Sequence, residues 1–285
     1  MKEQELQPPP GWGDDSLGRV LLSFRRNWFS VFVHGKDRYN GLREISRVFE
    51  GVGRGEPANQ AEIVQAVFIG RAMSAFIGAA GMALSGQVVD LYTMSRSTLE
   101  WATYSSQLLA DQELLRKWWD RHEDERSRGA ARNAVNFKKC LGSVEDSLLR
   151  DRISTLYEEC IDKGAHPNPA AAFDALKFEP RPGRGDTAMT VLTQSRNPRD
   201  IDVGLDFVGR VGLAALQVMS VSCRPMFQRA GVRSPELASL ERRLRDARPY
   251  EVGTFGDSLP ENSAAAARTQ RKTLEILRQG LNEDR

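Results

Sequence analysis

Apolar side chains recur at helical spacing along most of this chain. Over residues 16–34 they return every three or four positions, and the pattern continues over 37–52, as expected for amphipathic helices. Asp15 or Ser16 can cap the first of these helices, and the run GVGRGEP ends the second. The apolar positions of the first helix are Leu17, Val20, Leu21, Phe24, Trp28 and Val31. Residues 1–15, which are polar and proline-bearing, predict a flexible tail.

The stretch from residue 72 to residue 110 is the least charged part of the chain. Its only charged residues are Asp90, Arg96 and Glu100. Such a composition predicts the interior of the fold. The stretch is too long for one uncapped helix, and glycines offer break points, so we expect two helices, over about 58–80 and 83–110.

The span 72–89 has no charged residue and nearly reaches the length of a membrane span. Its hydropathy is nevertheless weak, because it carries serines, a glutamine and several glycines. We therefore expect a helix buried in a soluble, cytoplasmic protein, and no membrane span.

Further helical patterns alternate with short breaks toward the C-terminus. They are expected over about 111–128, 143–163, 200–229, 235–247 and 262–280. The stretches 172–179 and 187–194 alternate instead and flank the turn sequence RPGRGD, which predicts a β-hairpin. The predicted fold is all-α, a bundle of about seven to nine helices with a small β-hairpin insertion near 172–194.

The same patterns predict the division of the chain into domains. A helical bundle domain over 16–247, with its core in 58–165, follows the N-terminal tail. A loop and a C-terminal helix over 248–285 complete the chain, and that helix can pack on the body or on a second subunit.

Composition excludes several functional classes. The chain has 40 basic and 38 acidic residues, so its net charge of +2 selects neither nucleic acid nor membrane. Its three cysteines form no CxxC pair, which argues against a disulfide framework and a zinc site. The sequence contains no phosphate-loop, dinucleotide-binding, HExxH or GxSxG motif, and we predict no cofactor and no metal.

One helix carries a polar stripe on an otherwise apolar surface. Arg96, Glu100, Thr103 and Gln107 collect on one side of the helix expected over 83–110. Arg96 and Glu100 are four residues apart, so they can pair along the helix. The stripe is either a window to solvent or an internal polar seam that needs partners from other elements.

A resemblance rests on two segments, MSRSTLEWA at 94–102 and LYEECIDKGAHPNP at 156–169. They resemble a group of uncharacterised bacterial helical proteins with Arg-Ser-x-x-Glu on a core helix and a later Tyr…His-Pro segment. That group is distantly similar to HEPN-type helical bundles. The resemblance implies an α-helical core and assigns corresponding positions to Arg96, Glu100, Tyr157 and His166. This chain has Cys160 or Asp162 where the group often has a serine, which puts serine-dependent chemistry in doubt.

Three functional readings compete. The first is a bundle that acts through protein contacts or self-association, because catalytic signatures are absent and the terminal helices are partly apolar. The second is a HEPN-like ribonuclease or defence-type enzyme whose catalytic residues are Arg96, Glu100 and His166, with Tyr157 in support. The third is binding of nucleic acid, such as RNA, without cleavage, through Arg25, Arg26 and Trp28 or the arginines of 242–248.

Two details complete the enzyme hypothesis. We predict that His166 closes a polar seam with Arg96 and Glu100, since it follows directly on an amphipathic helix. Arg116 and His122 also match the Arg-to-His spacing of HEPN nucleases. In a chain with 32 arginines, however, such a match is expected by chance.

Overall fold

The computed structural model describes residues 11–165, 176–180, 187–191, 194–195 and 197–250. Side-chain caps explain where several helices begin. The Asp15 carboxylate accepts a hydrogen bond from the Gly18 amide at the start of α1, and Asn59 does the same for Glu62 at the start of α3. The predicted start of the first helix is therefore confirmed.

Eleven α-helices lie in the described residues. They are α1 (Ser16–His34), α2 (Lys36–Gly53), α3 (Gln60–Ser85), α4 (Leu91–Leu108), α5 (Gln112–Trp119), α6 (Glu125–Ala134), α7 (Phe137–Gly142), α8 (Ser147–Cys160), α9 (Pro198–Ser222), α10 (Arg224–Arg229) and α11 (Ser234–Arg245). A short 3-10 helix (Asp120–His122) follows α5, and a π-helical turn (Ile161–Ala165) follows α8. The all-α helical bundle is confirmed.

The number of helices exceeds the predicted seven to nine because several long patterns are interrupted. The pattern expected over 111–128 divides at the 3-10 turn, and the pattern of 200–229 divides at Cys223, ahead of a proline in the first turn of α10. The boundary between α3 and α4 lies at Gly86 rather than near residue 80, because Gly86 adopts a left-handed φ of 83°.

The helices α3, α4 and α9 form the centre of the bundle. Glycines allow their close approach: a Cβ on Gly204 would lie 2.8 Å from Leu91, and one on Gly212 would lie 2.5 Å from Phe76. The predicted core of 58–165 is therefore too narrow, since α9 contributes many of the most deeply buried side chains. These include Leu205, Phe207, Val208, Val211, Ala214, Ala215, Leu216 and Met219.

The segment 72–89 is buried on one face only. Ala72, Phe76 and Ala79 lie in the core, whereas Ile77 is 49% exposed. By length and composition α3 and α9 could each cross a membrane, with mean hydropathies of 1.6 and 1.3 over their most apolar windows. Of those windows, 39% is buried in α3 and 72% in α9. Burial of α9 is typical of a core helix, whereas α3 keeps an apolar side outside the bundle.

The β-hairpin insertion in the predicted fold class needs correction. Strand pairing is confined to β1 (Leu176–Pro180) and β2 (Thr187–Val191), which run antiparallel and pair Phe178 with Met189. No other strand in the described ranges joins them. Two strands alone are marginal and form no sheet layer. The fold class is therefore all-α, and the predicted β-hairpin insertion adds no sheet layer to the bundle.

Ion pairs fasten the outer helices to the centre. The Arg229 guanidinium of α10 donates to both carboxylate oxygens of Glu62 on α3, at 2.8 and 2.5 Å. Arg38 of α2 donates to Asp202 and Asp206 on α9. These bidentate or bridging contacts fix the position of the helices they join.

We expect Gly86→Ala to destabilise the protein by more than ~1 kcal/mol, because a residue with Cβ is strained at this φ. The added Cβ would also lie 2.3 Å from the Ser195 carbonyl oxygen. Gly70→Ala is the matched control, because a Cβ there meets nothing within 4 Å and a helix favours alanine. Urea unfolding should rank the two variants in this order, and equal stabilities would contradict the assignment.

We also expect acid to weaken the α3–α10 contact. The hydrogen bonds from Arg229 and the Ala58 amide lower the pKa of Glu62 from 4.5 to about 2. A carboxyl with a depressed folded-state pKa stabilises the fold above its ordinary pKa and loses that contribution as the pH falls. The free energy of unfolding should therefore decrease between about pH 4.5 and pH 2.

Glu62→Gln should flatten part of this decrease, as measured by urea unfolding at successive pH values. Glu113→Gln removes a carboxylate from an exposed ion pair with Lys117 and serves as the control. Superimposable pH profiles for the two variants would refute the role of Glu62.

Candidate functional site

A hydrogen-bonded polar cluster joins α4 to α8. Arg96 Nε donates to Glu100 Oε1 at 2.9 Å, and the Tyr157 hydroxyl donates to the same oxygen at 3.1 Å. The Arg96 guanidinium lies 5.2 Å from the centre of the Tyr157 ring, and Phe137 of α7 stacks on that ring at 3.5 Å. Three of the predicted site residues are thus brought together.

The polar stripe on α4 is an internal seam for most of its length. Arg96 and Glu100 keep 24% and 28% of their side-chain surface exposed, whereas Thr103 is fully buried. The side-chain oxygens of Thr103 and Gln107 have no hydrogen-bond partner among the described residues. Solvent therefore reaches the seam at its Arg96–Glu100 end.

The environment keeps the neighbouring hydroxyl and thiol groups protonated. Burial, and then the Glu100 charge, raise the pKa of Tyr157 to about 12. Burial and the same carboxylate raise the pKa of Tyr104 to about 12. Burial raises the pKa of Cys160 to about 12 as well. At neutral pH these three groups are therefore protonated and can donate hydrogen bonds.

The chemistry open to the cysteines and acidic residues depends on their burial, pKa and metal-binding geometry in the part of the chain that the structure describes. Cys140, Cys160 and Cys223 are free and buried, and burial raises the pKa of Cys140 and Cys223 to about 12. No group of three or more His, Cys, Asp or Glu side chains within the described ranges could hold a metal ion.

The other Arg and His residues singled out in the sequence are not part of the described cluster. His166 lies outside the described residues, so its predicted place in the seam stays a prediction. Arg116 and His122 are both exposed, and the His122 ring accepts a hydrogen bond from Arg121 Nε at 3.1 Å. His122 thus lies on the solvated face expected for a charged run.

A second feature, which the sequence reasoning missed, is the orientation of α1. Its polar side chains face the body: Asn27 Nδ2 donates to the carbonyls of Ser85 and Ser195, and Ser23 Oγ donates to Gln194. Ser85 ends α3, where helix carbonyls lack intrahelical partners. These contacts hold α1 by its polar side.

The opposite side of α1 is apolar and exposed. We define the outward face as Leu17, Leu21, Trp28, Phe29, Phe32 and Val33. Phe29, Phe32 and Val33 are each more than half exposed, at 58%, 56% and 58%. The Trp28 indole donates to the Gly81 carbonyl of α3, one helical turn from the exposed Ile77, so the apolar surface continues onto α3. Contiguous exposed apolar patches are candidate binding surfaces.

Comparison of the chain with models of protein families, with curated proteins and with solved structures gives no match. The resemblance to HEPN-type bundles therefore rests on the residues themselves. Two features of the described residues bear on function: the polar cluster and the outward face of α1.

The polar cluster makes a direct prediction about stability. Tyr157→Phe and Glu100→Gln should each destabilise the fold by about 1 kcal/mol, because each change disrupts a shared hydrogen-bonded contact. Their effects should be non-additive in the double variant, by about 0.5 kcal/mol or more, as measured by urea unfolding.

The matched comparison combines Tyr157→Phe with Glu113→Gln, a substitution in an exposed ion pair on α5. This pair should be additive, since the residues share no partner. Additivity in both pairs would show that Tyr157 and Glu100 are energetically independent.

Proposed function

We propose that this protein is a helical interaction module that acts through protein contacts, and that the outward face of α1 is its docking surface. The observation that carries the proposal is the inverted orientation of α1, with polar side chains toward the body and aromatic side chains toward solvent. A helix that needed only to cover the bundle would bury these aromatics.

The charges on α1 narrow the chemistry of a partner. No acidic residue occurs between Ser16 and Lys36, whereas Arg19, Arg25 and Arg26 are exposed. Arg25 lies 5.2 Å from the centre of the Phe29 ring, so cationic and aromatic groups share the surface. Aromatic and arginine side chains dominate binding energy at protein interfaces, and a partner with apolar and acidic side chains would complement both.

The test compares substitutions on and off the outward face. Phe29→Ser with Phe32→Ser should weaken a partner's binding by about tenfold or more, because buried aromatic anchors dominate such interfaces. Leu148→Ser with Val221→Ser is the control, since both residues are exposed and neither lies on α1. Tagged proteins are purified from the cells that naturally produce them, and co-purifying proteins are quantified by mass spectrometry.

The expected result is a protein present in stoichiometric amounts with the wild-type chain and with the control, and lost with the α1 variant. Circular dichroism should show equal folding of all three. Identical co-purifying proteins for both variants would refute the docking surface.

A second candidate function is HEPN-like RNA cleavage, for which the contact of Arg96, Glu100 and Tyr157 is the favouring observation. Arg96 supplies a positive charge for a phosphate, and His166 would supply the proton transfer. Incubation of the purified protein with mixed RNA tests this candidate. Cleavage abolished by His166→Ala and Glu100→Gln, but kept by His122→Ala, would favour the enzyme over the interaction module.

A further inference from the structure

The described part of the chain ends against α1. Tyr250 is 8% exposed, and its hydroxyl lies 2.6 Å from Ser30 Oγ. Its amide donates to Asp202 at 2.7 Å, and its ring lies so close to Gly35 that an added Cβ would be 3.1 Å away. The chain beyond Tyr250 therefore continues from a point close to Ser30 and Gly35, at the C-terminal half of α1.

The segment that follows Tyr250 carries acidic side chains, which the outward face of α1 lacks. Residues 251–261, EVGTFGDSLPE, contain three acidic residues and no basic one. The acidic residues are Glu251, Asp257 and Glu261, and the large apolar ones are Val252, Phe255 and Leu259. The segment thus combines apolar and acidic groups, whereas α1 combines apolar and basic groups.

The lengths also agree. The 19 residues of α1 extend over about 28 Å. The eleven residues of 251–261 span up to about 36 Å when extended. The segment is tethered at Tyr250, so its effective concentration at α1 is in the millimolar range. At such a concentration, contacts that are too weak to hold separate molecules together can form.

We infer that residues 251–261 lie along the outward face of α1 in the same molecule and cover it. Phe255 and Leu259 then contact the exposed aromatic side chains, and the carboxylates pair with Arg25 and Arg26. Given the docking function proposed above, on which this step rests, a partner must displace the segment to reach α1. The segment is therefore an intramolecular competitor that sets the affinity of the docking surface.

The test places a photo-crosslinking amino acid, benzoylphenylalanine, at Phe29 of the full-length chain. After irradiation, the monomer is digested and the linked peptides are identified by mass spectrometry. The expected main product joins the α1 peptide to the peptide that contains Phe255. The same probe at Leu148, which is 77% exposed on α8, is the control and should not label that peptide.

Charge reversal tests the electrostatic part. Glu251→Lys, Asp257→Lys and Glu261→Lys together should lower the yield of this product about tenfold, since the attraction between the carboxylates and the arginines of α1 is replaced by repulsion. Glu275→Lys, Glu283→Lys and Asp284→Lys together are the matched control and should leave the yield unchanged. Equal yields in the two triple variants would overturn the inference.

The identity of the linked peptide separates the inference from its alternatives. Linkage between two molecules, with a yield that rises with protein concentration, would show that a second copy occupies the face and would overturn the cover. Label that moves into lipid when anionic vesicles are added, with no peptide linked in their absence, would likewise overturn it.

The same experiments test the proposed docking function independently of the intramolecular cover. A linked 251–261 peptide together with no partner in the purification experiment would refute the docking function and leave the cover established. A partner lost by the Phe29→Ser and Phe32→Ser variant, with no linked 251–261 peptide, would do the reverse.

Discussion

The close approach of α3, α4 and α9 is the constraint on which the rest of the structure depends. Gly204 and Gly212 give α9 two points at which no side chain separates it from Leu91 and Phe76. On α3, Gly78 gives Met94 of α4 the same access. Once these three helices are in contact, the direction of every α4 side chain is fixed, because helical geometry leaves no independent rotation. The Arg96–Glu100 pair must then point toward α8, where Tyr157 meets it.

The C-terminal end of α3 determines how the surface helix α1 is oriented. Gly86 turns the chain in the left-handed region and leaves the Ser85 carbonyl open to α1 and to Gln194. Asn27 and Gln194 satisfy that carbonyl, so the polar stripe of α1 is the side that the body can use. The aromatic side chains of α1 face outward as a consequence. The exposed apolar face therefore follows from the polar contacts that hold α1 at the end of α3.

Sequence periodicity predicted the elements with clear caps and missed those set by tertiary contacts. Helix α1 begins as predicted because the Asp15 cap is a local signal. The break between α3 and α4 was placed too early, since three glycines offered break points and only Gly86 has the positive φ. The central role of α9 was missed, although its glycines and alanines are typical of close helix packing. Its three aspartates and two arginines obscured the apolar pattern.

The sequence predicted part of the polar cluster but not the orientation of α1. The four-residue spacing of Arg96 and Glu100 placed the pair on one helix face, and the contact with Tyr157 agrees with the internal seam that the stripe allowed. The orientation of α1 could not be predicted in this way, because apolar residues occupy most of its circumference. The available signal was the complementary stripe of Ser23, Asn27 and Ser30, which recurs at helical spacing.

The two features of the molecule differ in what their environments allow. In the polar cluster, burial holds Tyr157 and Cys160 in their protonated forms, so the described groups form a neutral donor beside an ion pair. Such an arrangement specifies how α4 and α8 pack, whether or not chemistry occurs there. The outward face of α1 has no comparable structural purpose, because its aromatic side chains contribute little to the bundle while they remain in water. The unfavourable exposure of those rings to water is relieved when the segment proposed above, or a partner, covers them. The polar cluster has a structural role and the outward face of α1 has none, and this difference favours recognition through α1 over catalysis at the cluster.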